Sequence, residues 1–313
     1  MNTAIKEEHI ALMQQMYDCG KSYTEIALEI HARFGIPVHS DSVRYYVKRK
    51  KQKKLTKLEK LQNENIEKVL VISDLHIPFQ RDDILKIVTE YADEVSLIIL
   101  NGDVLDCKSI SSFIELGRGK LIDEMGKAHT LLKMIDALTP NTPKIITQGN
   151  HEVRLKKYLA KNPNELNNMH TDNIMKEIIE GFKSVDHETG IVKHYKPLDR
   201  YQALDTWFFN YKGMICCHPL SFSKVPAKTA YNAVEYFVRN GYIFDTCLVA
   251  HTHHYGSCIN LGKYTVETGC LCKEQPYAAT GKLNYTPQDY GYHLAVFKDG
   301  VYDINLSKNY ILK

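Results

Sequence analysis

Short clusters of aspartate, histidine and asparagine recur along the chain, and each follows a run of β-branched and other apolar residues. The clusters are Asp74-Leu75-His76, Asn101-Gly102-Asp103-Val104-Leu105-Asp106, Gly149-Asn150-His151-Glu152, His218-Pro219 and His251-Thr252-His253-His254. Carboxylate oxygens and imidazole nitrogens suit Mn, Fe, Zn and similar ions, and no cysteine is needed. A histidine among them can also protonate a leaving oxygen. These residue types therefore predict metal-assisted hydrolysis.

The apolar runs that precede the clusters are typical of buried β-strands. They cover residues 69–73, 97–100, 144–147, 213–217 and 247–250. Amphipathic stretches at residues 82–94 and 121–138 separate the early runs and predict helices between strands. In layered α/β folds, ligands bind beyond the carboxyl ends of the strands. We therefore expect the polar clusters to converge on one crevice.

Taken singly, each cluster is weak evidence. An Asp-x-His sequence is common, Gly-Asp often marks a turn, and an isolated His218 is more typical of a structural histidine than of a ligand. The repetition of such clusters after successive apolar runs favours metal binding over a structural role. A purely structural role does not explain why strand after strand ends in aspartate, histidine and asparagine and in almost nothing else that is polar. The pattern favours a single metal centre.

Three further features belong to the same part of the chain. The C-terminal segment from Tyr264 onward is again typical of strands, with Asp299-Gly300 as a hairpin turn. A Gly- and Pro-containing stretch at residues 274–292 predicts a long loop that borders the crevice and shapes substrate choice. Arg154, three residues after His151, is a candidate either for a phosphate contact or for an ordinary ion pair.

The order of the motifs, D-x-H, G-D-x-x-D, G-N-H-E, H and H-x-H, resembles the signature of the calcineurin-like metallophosphoesterases across residues 69–254. That family includes calcineurin-type protein phosphatases, purple acid phosphatases, cyclic-nucleotide phosphodiesterases and the Mre11/SbcD nucleases. The resemblance implies an α/β fold, the layered αββα metallophosphoesterase sandwich. It also implies hydrolysis of phosphate esters through a binuclear metal centre and a bridging hydroxide.

Carried over position by position, the resemblance implies a ligand set for two divalent ions. The ligands of the first ion are Asp74, His76, Asp103 and His253. Asp103 bridges to the second ion, whose other ligands are Asn150, His218 and His251. Manganese is the first expectation for both ions, with iron, zinc, nickel or magnesium as alternatives. Two such ions clamp the attacking and leaving oxygens of an in-line displacement.

The resemblance also assigns residues that are not ligands. His151 matches the catalytic histidine of the family, which protonates the leaving oxygen or stabilises its charge. Asp106 matches the acid that stands behind the ligands. One departure is Ala250, which stands where the family usually has glycine before the final histidine pair. A methyl group there should be tolerated with a small backbone shift.

Before residue 68 the sequence predicts helices alone. Residues 8–17 and 22–34 have helical periodicity, and Ser22 with a glutamate three residues later forms a capping-box pattern. The stripe of the second helix is predicted to bury Phe34, and Gly35 is predicted to end that helix. A third helix over residues 42–51 completes a helix-turn-helix pattern. We expect a helix-turn-helix-like domain at 1–52, a basic linker at 53–67 and the metallophosphoesterase domain at 68–313.

The end of the third helix is strongly basic. Residues 44–60 hold nine lysines and arginines against one acid, Glu59. The candidate nucleic-acid contacts are Arg44, Lys48, Arg49, Lys50 and Lys51. A solvated helical connector is the alternative for a lysine run alone. Its position directly after a possible recognition helix favours nucleic acid as a partner, and DNA more than RNA.

Composition limits the class of protein. The chain has 313 residues, of which 44% are hydrophobic and 25% charged, and this is ordinary for a globular protein of more than one domain. No apolar stretch reaches the length of a membrane helix, and the first residues lack the features of a signal peptide. The eight cysteines form no C-x-x-C pair, and several lie in apolar runs. A cytoplasmic location fits best, with no membrane partner.

Three functions are compatible with these features. The first is a nuclease-like phosphodiesterase that acts on nucleic acid, to which the N-terminal domain would deliver the active site. The second is a phosphomonoesterase for a phosphoprotein or small molecule, with the N-terminal domain used for protein contacts or oligomerisation. The third is a DNA-binding regulator with a degenerate hydrolase domain, and the complete ligand set argues against it. The sequence leaves the substrate, the metal identity and the oligomeric state open.

Overall fold

The computed structural model describes residues 5–47, 65–112, 117, 119–161, 172–274 and 287–312. The chain divides into two compact units, Met1–Ile66 and Glu67–Lys313. Each unit has its own hydrophobic core. Among the helices of the described residues, none is both long enough and apolar enough to cross a membrane.

Helices form the described part of the N-terminal unit: α1 (Glu7–Asp18), α2 (Tyr23–Phe34) and α3 (residues 40–47). Helices this short are marginal in isolation, so packing must hold them. Their apolar faces share one core of buried residues: Met13, Met16, Ile26, Ala27, Ile30, Ile36, Val43 and Val47.

The ends of α2 are set by local sequence. The hydroxyl oxygen of Ser22 accepts a hydrogen bond from the backbone N–H of Glu25 at 3.3 Å, and the Glu25 carboxylate accepts one from the backbone N–H of Ser22 at 2.8 Å. This confirms the predicted capping box. Gly35 ends the helix with φ 65°, a left-handed conformation that suits glycine. The prediction for Phe34 is wrong, because its side chain is 44% exposed and packs on the His9 ring at the rim of the core.

The candidate nucleic-acid contacts fall in two groups. Arg44 lies on α3, and its side chain is exposed, as is that of Tyr45. The other four, Lys48, Arg49, Lys50 and Lys51, lie outside the described residues, as does the linker from residue 53 to 64.

Two β-sheets and five α-helices form the described part of the C-terminal unit. The strands of the first sheet are β1 (Ile66–Ile72), β2 (Leu97–Asn101), β3 (Lys144–Thr147), β6 (Tyr201–Ala203), β12 (Tyr290–Lys298), β13 (Val301–Tyr302) and β14 (Lys308–Leu312). The strands of the second sheet are β7 (Phe208–Tyr211), β8 (Met214–Cys217), β9 (Thr246–Val249), β10 (Tyr255–Asn260) and β11 (Lys263–Thr268). A separate hairpin consists of β4 (Phe182–Val185) and β5 (Val192–Tyr195). The helices are α4 (Ile84–Tyr91), α5 (Leu121–Leu138), α6 (Val153–Lys161), α7 (Ile174–Glu180) and α8 (Lys228–Arg239).

The strand order places the predicted strands at the centre of both sheets. The first sheet has the order β13-β12-β1-β2-β3-β6, with β14 beside β12, and β1, β2, β3 and β6 run parallel. The second sheet has the order β10-β11-β9-β8-β7, with β8, β9 and β11 parallel. Asp299 and Gly300 both have positive φ and turn β12 into β13, as predicted.

Alternation along the strands builds four layers. Val69 and Val71 of β1 face the second sheet, whereas Leu70 and Ile72 face helices. Helices α4, α5 and α7 cover the outer face of the first sheet, and α8 covers that of the second. The layers are therefore helix, sheet, sheet and helix, which confirms the predicted αββα sandwich.

Candidate metal centre

The polar clusters stand at the carboxyl ends of parallel strands in both sheets. Asp74, Asp103 and Asn150 follow β1, β2 and β3, which are parallel neighbours in the first sheet. His218 and His251 follow β8 and β9, which are parallel neighbours in the second. Because the sheets pack face to face, these strand ends meet at one edge of the sandwich. The donor atoms of the seven candidate ligands come together there.

The backbone at these positions is unusual. Five of the eleven described non-glycine residues with positive φ are candidate ligands: Asp74, His76, Asp103, His251 and His253. Each such conformation costs on the order of 1–3 kcal/mol and persists only where the surrounding structure imposes it. Strain of this kind clusters at functional sites, so the backbone supports the same location as the side chains.

Two glycines allow the clusters to approach one another. Gly102 has φ 76°, and a Cβ atom there would collide with the imidazole of His218. A Cβ atom on Gly149 would collide with the carboxylate and backbone nitrogen of Asp103. The glycines before Asp103 and Asn150 are therefore required by close contact between neighbouring loops.

Asp74, His76, Asp103 and His253 form the first group of donors. Nε2 of His76 lies 3.1 Å from Nε2 of His253 and 3.6 Å from Oδ2 of Asp103. Nε2 of His253 lies 3.3 Å from Oδ1 of Asp74. Two ring nitrogens and two carboxylates thus face a common point, which is how ligands surround a cation.

Asp103, Asn150, His218 and His251 form the second group. Nε2 of His218 lies 3.0 Å from Oδ1 of Asn150 and 3.3 Å from Oδ2 of Asp103. Donor atoms of Asp103, His218 and His251 all lie within 4.8 Å of one another. The same oxygen, Oδ2 of Asp103, faces both groups, and this is the position that a bridging carboxylate must occupy.

Burial and mutual charge shift the pKa values of these groups strongly. Burial alone would raise the pKa of Asp103, but His218, His151 and His76 hold it well below its usual range. Burial would lower the pKa of His218, yet Asp103 and Asp74 raise it to about 9. Burial, followed by the charge of His218, lowers the pKa of His251 to about 3. The carboxylates therefore attract positive charge into this pocket, and a metal ion would release the proton of His218.

The donor set fits divalent transition ions. It contains two carboxylates, one amide oxygen and four imidazoles, a mixture of hard oxygen and borderline nitrogen ligands that suits Mn, Fe, Zn or Ni. A thiol also lies nearby, because Sγ of Cys272 is 4.0 Å from Nδ1 of His253. Together with His76 and His253, Cys272 forms a further candidate metal-binding group, whose donor atoms all lie within 4.8 Å of one another.

Hydrogen bonds behind the ligands fix the orientation of their rings. Nδ1 of His218 donates to the backbone carbonyl of Asn101 at 2.9 Å, and Nδ1 of His76 donates to Oδ1 of Asp106 at 3.0 Å. Both rings therefore direct Nε2 towards the centre, as outer partners of metal-binding histidines commonly do. Asp106 thus stands behind a candidate ligand and leaves the centre itself to the ring nitrogens.

Gln288 provides a similar contact for His253, and no pattern in the sequence indicated it. Its amide nitrogen lies 2.5 Å from Nδ1 of His253, while its Oε1 is buried without a hydrogen-bond partner. Rotation of the amide by half a turn would bring Oε1 to Nδ1, which would then donate to it. His253 would keep a lone pair on Nε2 for the metal. Gln288 belongs to the stretch predicted to border the crevice.

His151 stands beside the centre and contacts Arg154. Its Nδ1 lies 2.7 Å from the backbone carbonyl of Asp106, and its Nε2 lies 2.9 Å from Nη2 of Arg154. Because a guanidinium only donates, Nε2 accepts and Nδ1 carries the proton. Burial lowers the pKa of His151, which is consistent with a neutral ring. The sequence left Arg154 open between a phosphate contact and an ion pair; the structure places its guanidinium on the imidazole of His151.

Glu152 is a buried clamp between two loops of the centre. Its carboxylate accepts hydrogen bonds from the backbone N–H groups of Asp103 at 3.0 Å, Leu105 at 3.0 Å and Gly149 at 2.9 Å. Burial, followed by the charge of Asp103, raises its pKa to about 7. Sequence reasoning assigned Glu152 no role, because the backbone groups that it binds carry no sequence signal.

Comparison with solved structures finds remote likenesses, which include two proteins described as phosphoesterases. A metallophosphoesterase from Sphaerobacter thermophilus is 13% identical, with 79% of this chain and 88% of that chain covered and a TM-score of 0.37. An archaeal phosphodiesterase is 14% identical, with 78% and 99% covered and a TM-score of 0.36. Vacuolar protein sorting 29 from Cryptosporidium parvum is 13% identical, with 79% and 98% covered and a TM-score of 0.37.

A search of curated proteins finds no match to this chain. The model of the calcineurin-like phosphoesterase family matches residues 67–255, which hold all five polar clusters. The match covers more than half of the chain and includes both groups of metal-binding candidates. The chain therefore belongs to the calcineurin-like phosphoesterase family.

Proposed function

We propose that the protein hydrolyses phosphodiester bonds in nucleic acid at a centre of two divalent metal ions. The observation that carries this proposal is the convergence of seven donor side chains in two groups that share Asp103, with the His151–Arg154 pair beside them. Such ions polarise a phosphate ester and lower the pKa of a water molecule, and this is the chemistry they would supply here.

The side chains of the chain itself have distinct tasks in this proposal. Asp103 holds the two ligand groups together, and Asp106 orients both His76 and His151 through one oxygen. His151 and Arg154 stand where a leaving oxygen would develop charge. Arg154 donates to that oxygen or to a phosphate oxygen, and Nε2 of His151, once it has taken up a proton, gives that proton to the leaving oxygen.

An aromatic cavity beside the centre favours a nucleotide substrate. It has a volume of about 510 Å³, and its walls include Trp207, Leu220, Phe222 and Tyr236. The ring of Phe222 stands edge-on to that of His251, with 5.0 Å between centroids. Stacking of a base on an aromatic side chain is worth roughly 1–3 kcal/mol. A base attached to the scissile phosphate would thus find an aromatic wall next to a metal ligand.

The N-terminal unit supports the same substrate class. Its third helix presents Arg44 and Tyr45 to solvent and leads directly into the lysine run. In a helix-turn-helix module, the start of this helix meets base edges and the following basic residues track phosphates. On this proposal the unit is a helix-turn-helix-like domain that delivers the centre to DNA, as in a nuclease.

The reaction and its substrate are tested together by an activity panel with added Mn²⁺. We expect hydrolysis of single-stranded or double-stranded DNA, RNA and bis-p-nitrophenyl phosphate, and much weaker hydrolysis of the monoester p-nitrophenyl phosphate. Excess chelator should abolish activity, and added metal should restore it, because the bound ions would lower the pKa of the attacking water. A preference for the monoester would favour the phosphomonoesterase instead. Full activity in chelator, with no metal bound, would reject the centre.

The nucleic-acid role of the N-terminal unit has its own test. Replacing Arg44, Lys48, Arg49, Lys50 and Lys51 by alanine should weaken binding to duplex DNA and flatten its salt dependence. The slope of log affinity against log salt should fall by about 0.9 for each phosphate that the variant no longer neutralises. Hydrolysis of bis-p-nitrophenyl phosphate should stay unchanged.

Arg33→Ala is the matched control for this test, because Arg33 is a cation of the same unit that pairs with Glu29. Equal affinities and slopes for the quintuple variant and the native protein would contradict the nucleic-acid role. Stronger binding to RNA than to duplex DNA would retain that role but reject the groove-reading model.

A further inference from the structure

We infer that the leaving-group side of the metal centre holds a second phosphate subsite, formed by Arg154, Lys157 and Lys161, for the next phosphate of a nucleic-acid strand. This inference rests on the proposed phosphodiesterase function and extends it to how the strand is bound. It concerns a groove whose described lining residues include none of the candidate metal ligands.

The groove lies between α6 and the short 3₁₀ helix Lys108–Ile110. It has a volume of about 150 Å³, and its walls include Ser109, Ser111 and Ser112 on one side and Arg154, Lys157, Tyr158 and Lys161 on the other. The serine wall is held in place because the Glu124 carboxylate accepts hydrogen bonds from the backbone N–H groups of Lys108 at 3.0 Å and Ser109 at 2.9 Å. A groove with serines on one wall and three cations on the other suits a phosphate group.

Helix geometry places the three cations on one face. At 100° per residue, Lys157 and Lys161 lie within about 60° of Arg154 around the helix axis. Lys156 lies about 200° from Arg154 and points to another side of α6. The row extends about 10 Å along the axis from the end nearest His151. This is a track that leads away from the catalytic centre.

The two lysines of the track are not explained by local pairing. Lys156 pairs with Asp172 at 2.9 Å, but neither Lys157 nor Lys161 has an anionic partner among the described residues. Both are exposed. Two like charges four residues apart destabilise a helix by a few tenths of a kcal/mol. A cation in the first turn also opposes the helix dipole, and Arg154 lies there. An anion bound beside these cations would offset their unfavourable effect on the stability of the helix.

Arg154 connects the row of cations on α6 to His151. Its Nη2 lies 2.9 Å from Nε2 of His151 and its Nη1 lies 2.8 Å from the backbone carbonyl of Asp106. The groove therefore begins at the residue assigned to the leaving group and continues along α6. A leaving group that carries a further phosphate would occupy it, whereas a lone phosphomonoester would not reach Lys157 or Lys161. The geometry points to a polynucleotide strand.

The test compares the full-length Lys157→Ala/Lys161→Ala variant with native protein on three substrates. These are a single-stranded oligonucleotide, a dinucleoside monophosphate and bis-p-nitrophenyl phosphate, each with Mn²⁺. We expect kcat/KM for the oligonucleotide to fall roughly 3- to 20-fold at low salt, because exposed ion pairs contribute modestly. Its salt slope should fall by about 0.7 for each phosphate that the lysines no longer neutralise. The dinucleoside monophosphate and the chromogenic diester lack a neighbouring phosphate, and their kcat/KM should not change.

Lys156→Ala is the matched control, since it removes one lysine from the same helix on another face. It should leave the oligonucleotide rate and slope as in native protein. Alanine favours helix, so thermal unfolding should be unaffected in all variants. An unchanged oligonucleotide slope in the double variant would overturn the subsite, even if the chromogenic diester is cleaved normally. Equal losses on all three substrates would overturn it as well, since they would indicate damage to the centre. If native protein cleaves none of them, the proposed function itself fails.

An acidic peptide is the other anion that the track could take. A poly-glutamate peptide added as a competitor distinguishes the two classes. An uncleavable phosphorothioate oligonucleotide is the reference competitor. If the peptide inhibits oligonucleotide cleavage by native protein equally strongly, and if the double variant is equally resistant to both competitors, the groove recognises charge alone. The assignment to a nucleic-acid strand is then overturned. Inhibition by the oligonucleotide at much lower concentration supports it.

Discussion

Asp103→Asn is expected to abolish hydrolysis and to cost more than about 100-fold in affinity for both metal ions. Even the outer partners of metal ligands are worth about 10–100-fold in affinity, and Asp103 is the one carboxylate that faces both donor groups. Asparagine removes the negative charge. The atom in the place of Oδ2, which faces both metal sites, is then either the amide nitrogen or the neutral amide oxygen. Neither choice can bridge two cations.

Asparagine at position 103 removes the negative charge without adding backbone strain. Asp103 has φ 48°, and asparagine tolerates the left-handed region better than alanine does. Its amide oxygen can also still accept the 2.9 Å hydrogen bond from the backbone N–H of His151. Folding should therefore be preserved, and thermal unfolding of the metal-free proteins should be similar.

Metal content by elemental analysis, together with kcat on bis-p-nitrophenyl phosphate, decides the result. Asp82→Asn is the control, because Asp82 is an exposed acid that follows the neighbouring strand β1 and pairs with Lys273. It should bind metal and turn over as native protein does. An Asp103→Asn variant that holds two metal ions per chain would show that Asp103 does not bridge.

The layers and the place of the centre could be predicted because both depend on local patterns. Strands buried on both faces have continuous apolar runs, and β1, β2, β3, β8 and β9 were all found where such runs occur. Short edge strands such as β6, and the β4–β5 hairpin, carry little such signal, because their faces are partly exposed. They were not predicted.

The contacts that tune the centre could not be predicted, because each joins residues distant in sequence or depends on side-chain direction. Gln288 contacts His253 from 35 residues further along the chain. Glu152 clamps a loop 47 to 49 residues away, through backbone groups that carry no sequence signal. Arg154 lies three residues from His151, but only the helical turn of the chain sets its guanidinium on Nε2. The candidate ligands can be predicted from residue type, whereas the residues that orient them depend on how the chain packs.

His151→Ala is expected to lower kcat by about 10²–10⁴-fold on a nucleotide substrate while leaving metal content nearly intact. The backbone N–H of residue 151, which donates to Oδ1 of Asp103, is kept in the variant. Asp106 still accepts from Nδ1 of His76 at 3.0 Å, so the ligand ring keeps its orientation. The loss should therefore fall on the chemical step and not on the metal centre.

The size of the loss should depend on the leaving group. A p-nitrophenolate ion is stable without a proton, whereas the alkoxide of a nucleoside is not, so proton donation and charge stabilisation matter far more for the second. We expect His151→Ala to reduce kcat on bis-p-nitrophenyl phosphate by a much smaller factor than on a dinucleoside monophosphate. His194→Ala, at an exposed position on β5, is the control and should change neither. Equal losses of kcat on both substrates, or loss of metal from the His151 variant, would contradict the assignment of His151 to the leaving group. His151 would then be one of the residues that hold the metal centre together.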